Sequence, residues 1–198
     1  MLIQMEDIMA KENTTSFIIL GLLNHEDSSG YDLKKKIDYM ISRFWEVGYG
    51  QLYPTLSQLE KGGMVTKRMG ENSKGPEKSV YSITAKGREV LKEWLSVPGA
   101  KEYTKYEILL KLFFGNMVSY RENVERIENF KERHLNDLQM IQMYKSNLEK
   151  VIEEGDDHLY YFLTVLFGEF IYKAYIEWAD EAEKLLKNHI NQDNDKGC

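Results

Sequence analysis

The chain contains one cysteine, 3 prolines and 4 histidines in 198 residues. The cysteine is the last residue, Cys198, so no disulfide can form within the chain, which fits a reducing compartment. No apolar run approaches the roughly 18 residues that a membrane span needs. The first 13 residues carry acids within their apolar part and no basic leader, unlike a signal peptide. We therefore expect a soluble, cytoplasmic protein that makes no membrane contact.

Patterns of catalytic and metal-binding residues are also missing. The histidines lie far apart in the sequence, at His25, His134, His158 and His189. Gly70 and Gly75 have the spacing of a phosphate-binding loop, but Pro76 and Glu77 occupy the positions where that loop needs lysine and serine or threonine. The sequence offers no paired nucleophile and base. We therefore predict no enzyme activity, no catalytic residue, no metal site and no cofactor.

The net charge of −6 is unevenly distributed along the chain. Residues 14–97 contain 12 basic and 10 acidic side chains, whereas residues 98–198 contain 13 basic and 19 acidic ones. The first 13 residues add one lysine and three acids. The first half is therefore mildly basic, and the acidic character belongs to the second half.

The first half predicts three helices followed by a two-stranded hairpin and a fourth helix. The cap residues are Thr14, Thr15 or Ser16 for the first helix, Ser29 with Asp32 for the second, Gly62 and Gly63 at the end of the third, and Thr84 for the fourth. Residues 64–69 and 79–84 both alternate apolar and polar side chains across a turn-rich segment, as hairpin strands do. This order of elements is that of a winged helix-turn-helix with a two-stranded β wing.

The third helix, in the stretch GQLYPTLSQLEKGG, has an unusual outer face. Leu52, Leu56 and Leu59 form one narrow apolar stripe. The remaining side chains are polar but nearly uncharged, and Pro54 is expected in the first turn, where its missing N–H costs nothing. In a winged helix this helix enters the DNA major groove, so its outer face meets base edges and phosphates. We predict DNA contacts from Gln51, Tyr53, Pro54, Ser57, Gln58 and Lys61.

Basic residues on or beside the wing are expected to neutralise DNA phosphates. They are Lys67, Arg68, Lys74 and Lys78, with Gly75 at the hairpin tip. Alternatives stay open for two other features. The lysine run at residues 34–36 either touches phosphates or forms a solvated helix face, and Tyr53 either contacts DNA or packs against the second helix.

The second half reads as helical throughout, so the whole fold is mostly α. Two long helices there exceed the needs of a small domain, and we expect a helical hairpin that contributes to a dimer. The segment SVPGA at residues 96–100 contains proline and glycine, which end regular structure, and it indicates the domain boundary. The predicted organisation is an arm at 1–13, a winged-helix DNA-binding domain at 14–97, a helical dimerisation domain at 98–190 and a disordered tail at 191–198.

Three segments resemble the PadR family of transcriptional regulators, namely GLLNHEDSSGYDL, GQLYPTLSQLEKGGMV and SVYSITAKGREVL, in this order. The second half is similar to the longer members of that family in length and helicity. The resemblance implies a homodimer joined through its C-terminal helices that binds a pseudo-palindromic operator in double-stranded DNA. It also implies a repressor released by a small aromatic or hydrophobic effector, with Gln51, Tyr53, Ser57 and Gln58 on the DNA.

The effector site and the function each have an alternative. Trp45 and Trp94, near the domain junction, and Tyr161 are candidates for stacking on a flat aromatic ligand. The aromatic cluster of the second half either lines such a pocket or forms dimer core; its members are Tyr160, Tyr161, Phe162, Phe167, Phe170, Tyr172, Tyr175 and Trp178. A second hypothesis for the function is a winged-helix adaptor that binds protein without specific DNA binding. The weak basic balance and the acidic second half favour it.

Overall fold

Seven α-helices and three β-strands occupy the parts of the chain that the computed structural model describes, residues 2–70, 79–99 and 104–196. They fall into two units, Met1–Lys101 and Glu102–Cys198. The first unit contains α1 Leu2–His25, β1 Ser28–Ser29, α2 Gly30–Lys36, α3 Tyr49–Lys61, β2 Val65–Met69, β3 Ser79–Ile83 and α4 Ala85–Ser96. The second contains α5 Glu107–Phe113, α6 Tyr120–Glu149 and α7 Asp156–Lys196. No described helix combines the length and the hydropathy that crossing a membrane requires.

The first and last helices are longer than the sequence predicted. The predicted start of α1 at Thr14, Thr15 or Ser16 is wrong, because the helix begins at Leu2 and includes most of the segment expected as an arm. At the other end, α7 continues to Lys196, into the segment expected as a tail. Both extensions are free of proline and glycine, so nothing in the local sequence ends the helix.

The three strands form one antiparallel sheet in the order β1-β3-β2. The predicted hairpin is confirmed, with Val65 opposite Ile83 and Met69 opposite Ser79. The sequence missed the third strand, β1, because two residues are too short to show alternation. Ser29 ends β1 and also caps α2, since its hydroxyl accepts a hydrogen bond from the Asp32 N–H at 3.2 Å.

A single hydrophobic core holds the helices of the first unit to its sheet. Its most deeply buried side chains are Ile19, Leu20, Leu23, Leu33, Ile37, Leu52, Leu56, Leu59 and Val65. The three leucines of α3 are 0%, 0% and 1% exposed, which confirms the predicted stripe. Each buried leucine contributes about 1.5–3 kcal/mol relative to an exposed one, so this stripe fixes the rotation of α3 about its own axis.

The turn after α3 is hydrogen-bonded to the start of α4. Gly62 is the C-cap of α3, and Gly63 has a φ of +68°, a left-handed conformation that favours glycine. Thr84 caps α4 as predicted, because its hydroxyl accepts from the Gly87 N–H at 3.1 Å. The Thr84 N–H in turn donates to the Met64 carbonyl at 3.0 Å. The two elements are therefore bonded to each other through their caps.

The second unit is built on α6 packed against α7. Ser119 caps α6 in a capping box with Glu122, whose carboxylate accepts from the Ser119 N–H at 2.9 Å. Ile127, Phe130 and Ala179 form the buried centre of this unit. The second unit also contains a buried carboxylate, Glu169.

Glu169 is held between two cations. Its carboxylate oxygens lie 2.8 Å from the Lys145 ammonium and 2.6 Å from the Lys173 ammonium. Hydrogen bonds from Lys145, and then from Lys173, lower the pKa of Glu169 to about 2. The pairing joins α6 to α7 and explains how a charged side chain is tolerated at a buried position.

Gly87 provides a direct test of the packing between α4 and the turn after α3. A Cβ atom at this position would lie 2.3 Å from the Met64 carbonyl oxygen and 2.9 Å from Ile83 Cγ1. Gly87→Ala is therefore expected to lower the free energy of unfolding of the first unit by about 1–3 kcal/mol, because the backbone must shift. Urea denaturation followed by circular dichroism measures this change.

The control for that variant is Gly21→Ala in α1, where a Cβ atom would meet nothing within 4 Å. Alanine is the better helix former by about 1 kcal/mol, so this variant should be as stable as the wild type or more stable. Equal destabilisation by the two variants would contradict the packing described for Gly87.

Candidate nucleic-acid interface

The outer face of α3 presents all the side chains that the sequence assigned to DNA on this helix. The exposed residues are Gln51, Tyr53, Pro54, Ser57, Gln58 and Lys61. The buried stripe beneath them also includes Thr55, whose hydroxyl donates to the Gln51 carbonyl at 2.7 Å. The face thus offers amides, hydroxyls and one ammonium group to a partner.

Pro54 does not lie in the first turn of α3, and that prediction is wrong. The helix begins at Tyr49, directly after the extended residue Gly48, so Pro54 is its sixth residue. Gly48 and Gly50 are typical helix breakers, yet Gly50 belongs to the first turn of α3. Since proline has no N–H, the Gly50 carbonyl lacks the usual donor four residues later. The exposure of the Pro54 ring agrees with the prediction, and its contact with DNA stays a prediction.

Gln51 has a structural role that the sequence analysis did not include. Its side-chain oxygen accepts a hydrogen bond from the Gly48 N–H at 3.3 Å. This bond satisfies one of the backbone donors left open at the start of a helix. Gln51 therefore helps to cap α3, in addition to its predicted contact with DNA.

Tyr53 combines the two roles that the sequence left open. Its ring lies against the backbone of Gly30, where a Cβ atom would come within 2.7 Å of Tyr53 Cε1. The same side chain remains 47% exposed, and its ring stacks with that of Tyr49 at 6.1 Å between centroids. Packing on the start of α2 therefore positions Tyr53 and leaves part of the ring at the surface.

A groove of about 330 Å³ runs between Tyr53 and the wing. Its walls are formed by Ser29, Gly30, Tyr31, Tyr53, Lys67, Ser79 and Tyr81. Lys67 and Tyr81 are opposite each other in the hairpin, and the Lys67 ammonium lies 5.9 Å from the centre of the Tyr81 ring. The sequence had indicated Lys67 for phosphate but missed Tyr31 and Tyr81, since contacts between strand and helix are not visible in local spacing.

The predicted wing cations are only partly within the described residues. Arg68 lies on β2 with an exposed side chain, but its guanidinium pairs with the Asp27 carboxylate at 3.1 Å. Lys74, Gly75 and Lys78 lie outside the described residues. Their predicted contacts with phosphate stay predictions.

The lysines of α2 are paired in the same way as Arg68. Lys34 pairs with Asp38, and Lys36 lies 2.6 Å from the Glu26 carboxylate. The Lys36 ammonium also donates to the Ser28 hydroxyl at 2.7 Å. These ion pairs balance the charges of Lys34 and Lys36 within the unit. Their side chains are only 13% and 25% exposed, which does not agree with a freely solvated face, and their contact with phosphate stays a prediction.

The residues predicted for the effector are divided between the two units. Trp94 stacks on Phe17 with 4.6 Å between ring centroids and an angle of 9°. Trp45 is partly exposed in the same unit. Tyr161 belongs to the second unit, where burial raises the pKa of its hydroxyl, with a further contribution from Asp157.

Part of the predicted aromatic cluster is core of the second unit itself. Tyr175 and Trp178 pack around the buried centre with Phe130, whose ring centroid is 5.4 Å from that of Trp178. The Tyr175 hydroxyl also shares a 2.8 Å hydrogen bond with Tyr106.

Within the described residues, no group of three histidines, cysteines or acids is arranged to hold a metal ion.

Two family models match the chain, one on each unit. The model of the transcriptional regulator PadR-like family matches residues 19–93. The model described as virulence activator alpha C-term matches residues 104–187.

Individual relatives agree with these matches. The negative transcriptional regulator PadR of Bacillus subtilis is 33% identical over 110 residues, which cover 54% of this chain and 59% of that protein. The chain thus spans less than two thirds of that relative's length. The crystal structure of Bacillus subtilis PadR in complex with operator DNA has a TM-score of 0.74 at 26% identity, covering 86% of this chain and 98% of the other. The Vibrio cholerae virulence activator AphA has a TM-score of 0.70 at 25% identity, covering 89% and 99%.

Proposed function

We propose that this chain, a member of the PadR-like family of transcriptional regulators, is an operator-binding repressor that acts as a homodimer. The observation that carries the proposal is the outer face of α3, which is polar, exposed and nearly uncharged above a fully buried leucine stripe. The family is one of regulators and not of enzymes, in agreement with the prediction of no enzyme activity.

Base recognition in this proposal depends on hydrogen bonds. The Gln58 amide can pair bidentately with adenine, and the Ser57 hydroxyl can serve either kind of base. A good bidentate pair discriminates against a wrong base by about 1–3 kcal/mol. Gln51 is a weaker acceptor for a base than Gln58, because its side-chain oxygen already accepts the hydrogen bond from the Gly48 N–H.

Backbone contacts would come from the groove between Tyr53 and the wing. A DNA strand seated across α3 and β2 passes this groove, where the Lys67 ammonium and the Tyr53 hydroxyl are suited to a phosphate. Arg68, together with Lys74, Gly75 and Lys78, would extend these contacts along the wing. A dimer would then place two α3 helices in successive major grooves, about 34 Å apart.

The DNA-binding role of α3 is tested by Tyr53→Ala combined with Gln58→Ala. We expect at least a tenfold loss of affinity for the operator, since one base contact and one backbone contact are removed. The measurement is a fluorescence-anisotropy titration with DNA from upstream of the protein's own gene, beside a scrambled duplex, at two salt concentrations. Lys92→Ala, an exposed change on α4, is the control and should bind like the wild type.

Unchanged operator affinity and unchanged salt dependence in the double variant would show that α3 is the wrong helix. If the wild type binds both duplexes equally and feebly at low salt, while forming a stable complex with another protein, the adaptor hypothesis is favoured instead. In that case the exposed face of α3 would be a protein-binding surface.

Homodimerisation is supported by an apolar stripe on α7. Tyr160, Leu163, Phe167 and Phe170 recur at intervals of three and four residues, so they lie on one face of the helix. They are 65%, 49%, 67% and 67% exposed in the single chain. A contiguous apolar stripe of this kind is unfavourable in water and supports an interface at this face. We propose that a second copy of the chain covers it.

Phe167→Asp tests that interface, with Phe167→Leu as the matched control. The charge is expected to weaken the dimer by roughly tenfold or more, because it would be buried without a partner at a central aromatic position. Sedimentation equilibrium or light scattering over a range of concentrations measures the association. A Phe167→Asp variant that remains as dimeric as the leucine variant, with intact helix content, would contradict the proposed interface.

The proposal includes release from DNA by a small aromatic or hydrophobic effector. Trp45, Trp94 and Tyr161 remain its predicted contacts, and the partial exposure of Trp45 and Trp94 supports an accessible aromatic surface. Loss of the anisotropy signal on addition of small aromatic acids would identify such an effector. Since operator binding requires access to the chromosome, the proposal also includes a cytoplasmic location.

A further inference from the structure

The pairing of Arg68 with Asp27 raises a question about the proposed DNA interface. Arg68 lies on the wing, where a guanidinium would be expected to reach for phosphate, yet it contacts a carboxylate of its own chain at 3.1 Å. The two residues are 41 positions apart, so the contact depends on the fold and not on local sequence. Asp27 follows α1 and precedes β1, at the edge of the same small sheet.

Asp27 is held in place and kept ionised by its neighbours. A hydrogen bond from the Ser82 side chain, and then the Arg68 guanidinium, lower the pKa of the Asp27 carboxyl. Arg88 adds a favourable charge nearby, and its own side chain donates to Asn24 at 3.2 Å. At neutral pH the carboxylate is therefore a fixed negative group facing the wing.

Arg68 is the more exposed member of this pair. Its side chain is 65% exposed and that of Asp27 is 44% exposed, so water reaches both groups. An exposed ion pair of this kind shifts an equilibrium by roughly fivefold at most. A well-placed DNA phosphate can therefore displace the carboxylate, whereas a poorly placed one does not.

We propose that Asp27 competes with DNA phosphate for Arg68 and thereby lowers the affinity of the protein for non-cognate DNA. The inference rests on the proposed DNA binding and names a residue that sets its specificity. In a cognate complex α3 fixes the register, so that a phosphate lies within reach of Arg68. In a non-cognate complex that register is absent, and Asp27 retains the guanidinium.

The same reasoning explains how a weakly basic domain can discriminate between DNA sequences. Non-specific binding depends almost entirely on phosphate neutralisation. Each cation that is paired within the protein is removed from that sequence-independent contribution. Base contacts from α3 are unaffected by the pairing, so the ratio of cognate to non-cognate affinity rises.

Asp27→Asn tests the proposal, because it removes the charge and keeps the shape and the capacity to bond Ser82. We expect the affinity for a scrambled duplex to rise by roughly two- to fivefold. The slope of log affinity against log salt should become steeper by about 0.9, the value for one additional phosphate contact. The ratio of affinity for upstream DNA over scrambled DNA should fall.

Two controls separate competition for Arg68 from a general loss of negative charge. Glu93→Gln removes an exposed carboxylate from α4, a helix with no predicted DNA contact. It should leave the salt slope for the scrambled duplex unchanged. In an Arg68→Gln background, adding Asp27→Asn should change neither affinity nor slope, because the contested cation is gone.

Each outcome decides the proposal. If Asp27→Asn matches the wild type in scrambled-duplex affinity and slope, or has the same effect with and without Arg68, the competition does not exist. If it weakens binding instead, Asp27 serves to position the wing and the proposal is overturned. If the wild type binds neither duplex, the proposed DNA binding itself fails, and with it this inference.

Discussion

Burial of three leucines on α3 is the constraint that sets the direction of its exposed face. Leu52, Leu56 and Leu59 are packed at the centre of the first unit, and no other rotation of the helix would bury them together. Every other side chain of α3 takes its direction from that packing. The uncharged polar face therefore lies outward as a consequence of core formation, and its chemistry is available to a partner.

Much of this arrangement follows from local sequence. The leucine spacing, the caps at Ser29 and Thr84 and the glycine pair after α3 each act within one turn of the chain, and each is present as predicted. These are short-range effects of side-chain periodicity and hydrogen-bonding capacity. They specify a winged helix before any tertiary contact is considered.

Contacts between distant segments were not predictable in this way. The pairing of Arg68 with Asp27, the packing of Tyr53 on Gly30 and the groove beside Lys67 all join segments that local spacing does not relate. The start of α1 was missed because good cap residues at Thr14 to Ser16 do not interrupt a helix that can continue through them. The strand β1 was missed because it exists only through its pairing with β3.

The two units divide the chemistry of the chain. The first carries the polar face of α3 with cations that are largely paired internally, whereas the second carries the aromatic stripe of α7. In the proposed account the second unit supplies the two-fold symmetry that the first unit needs to address two half-sites. Affinity for the operator then comes more from base contacts, made by two copies of α3, than from net charge.

The most direct test of α3 as the base-contacting helix is interference by 7-deazaadenine placed in the upstream duplex, since this analogue lacks the adenine N7 acceptor of the major groove. If α3 contacts the bases, two blocks of interference should appear about one helical turn apart, and both should be lost when Tyr53 and Gln58 are replaced by alanine. Binding without major-groove interference, or with a pattern that survives those substitutions, would contradict the assignment of α3 as the helix that contacts DNA bases.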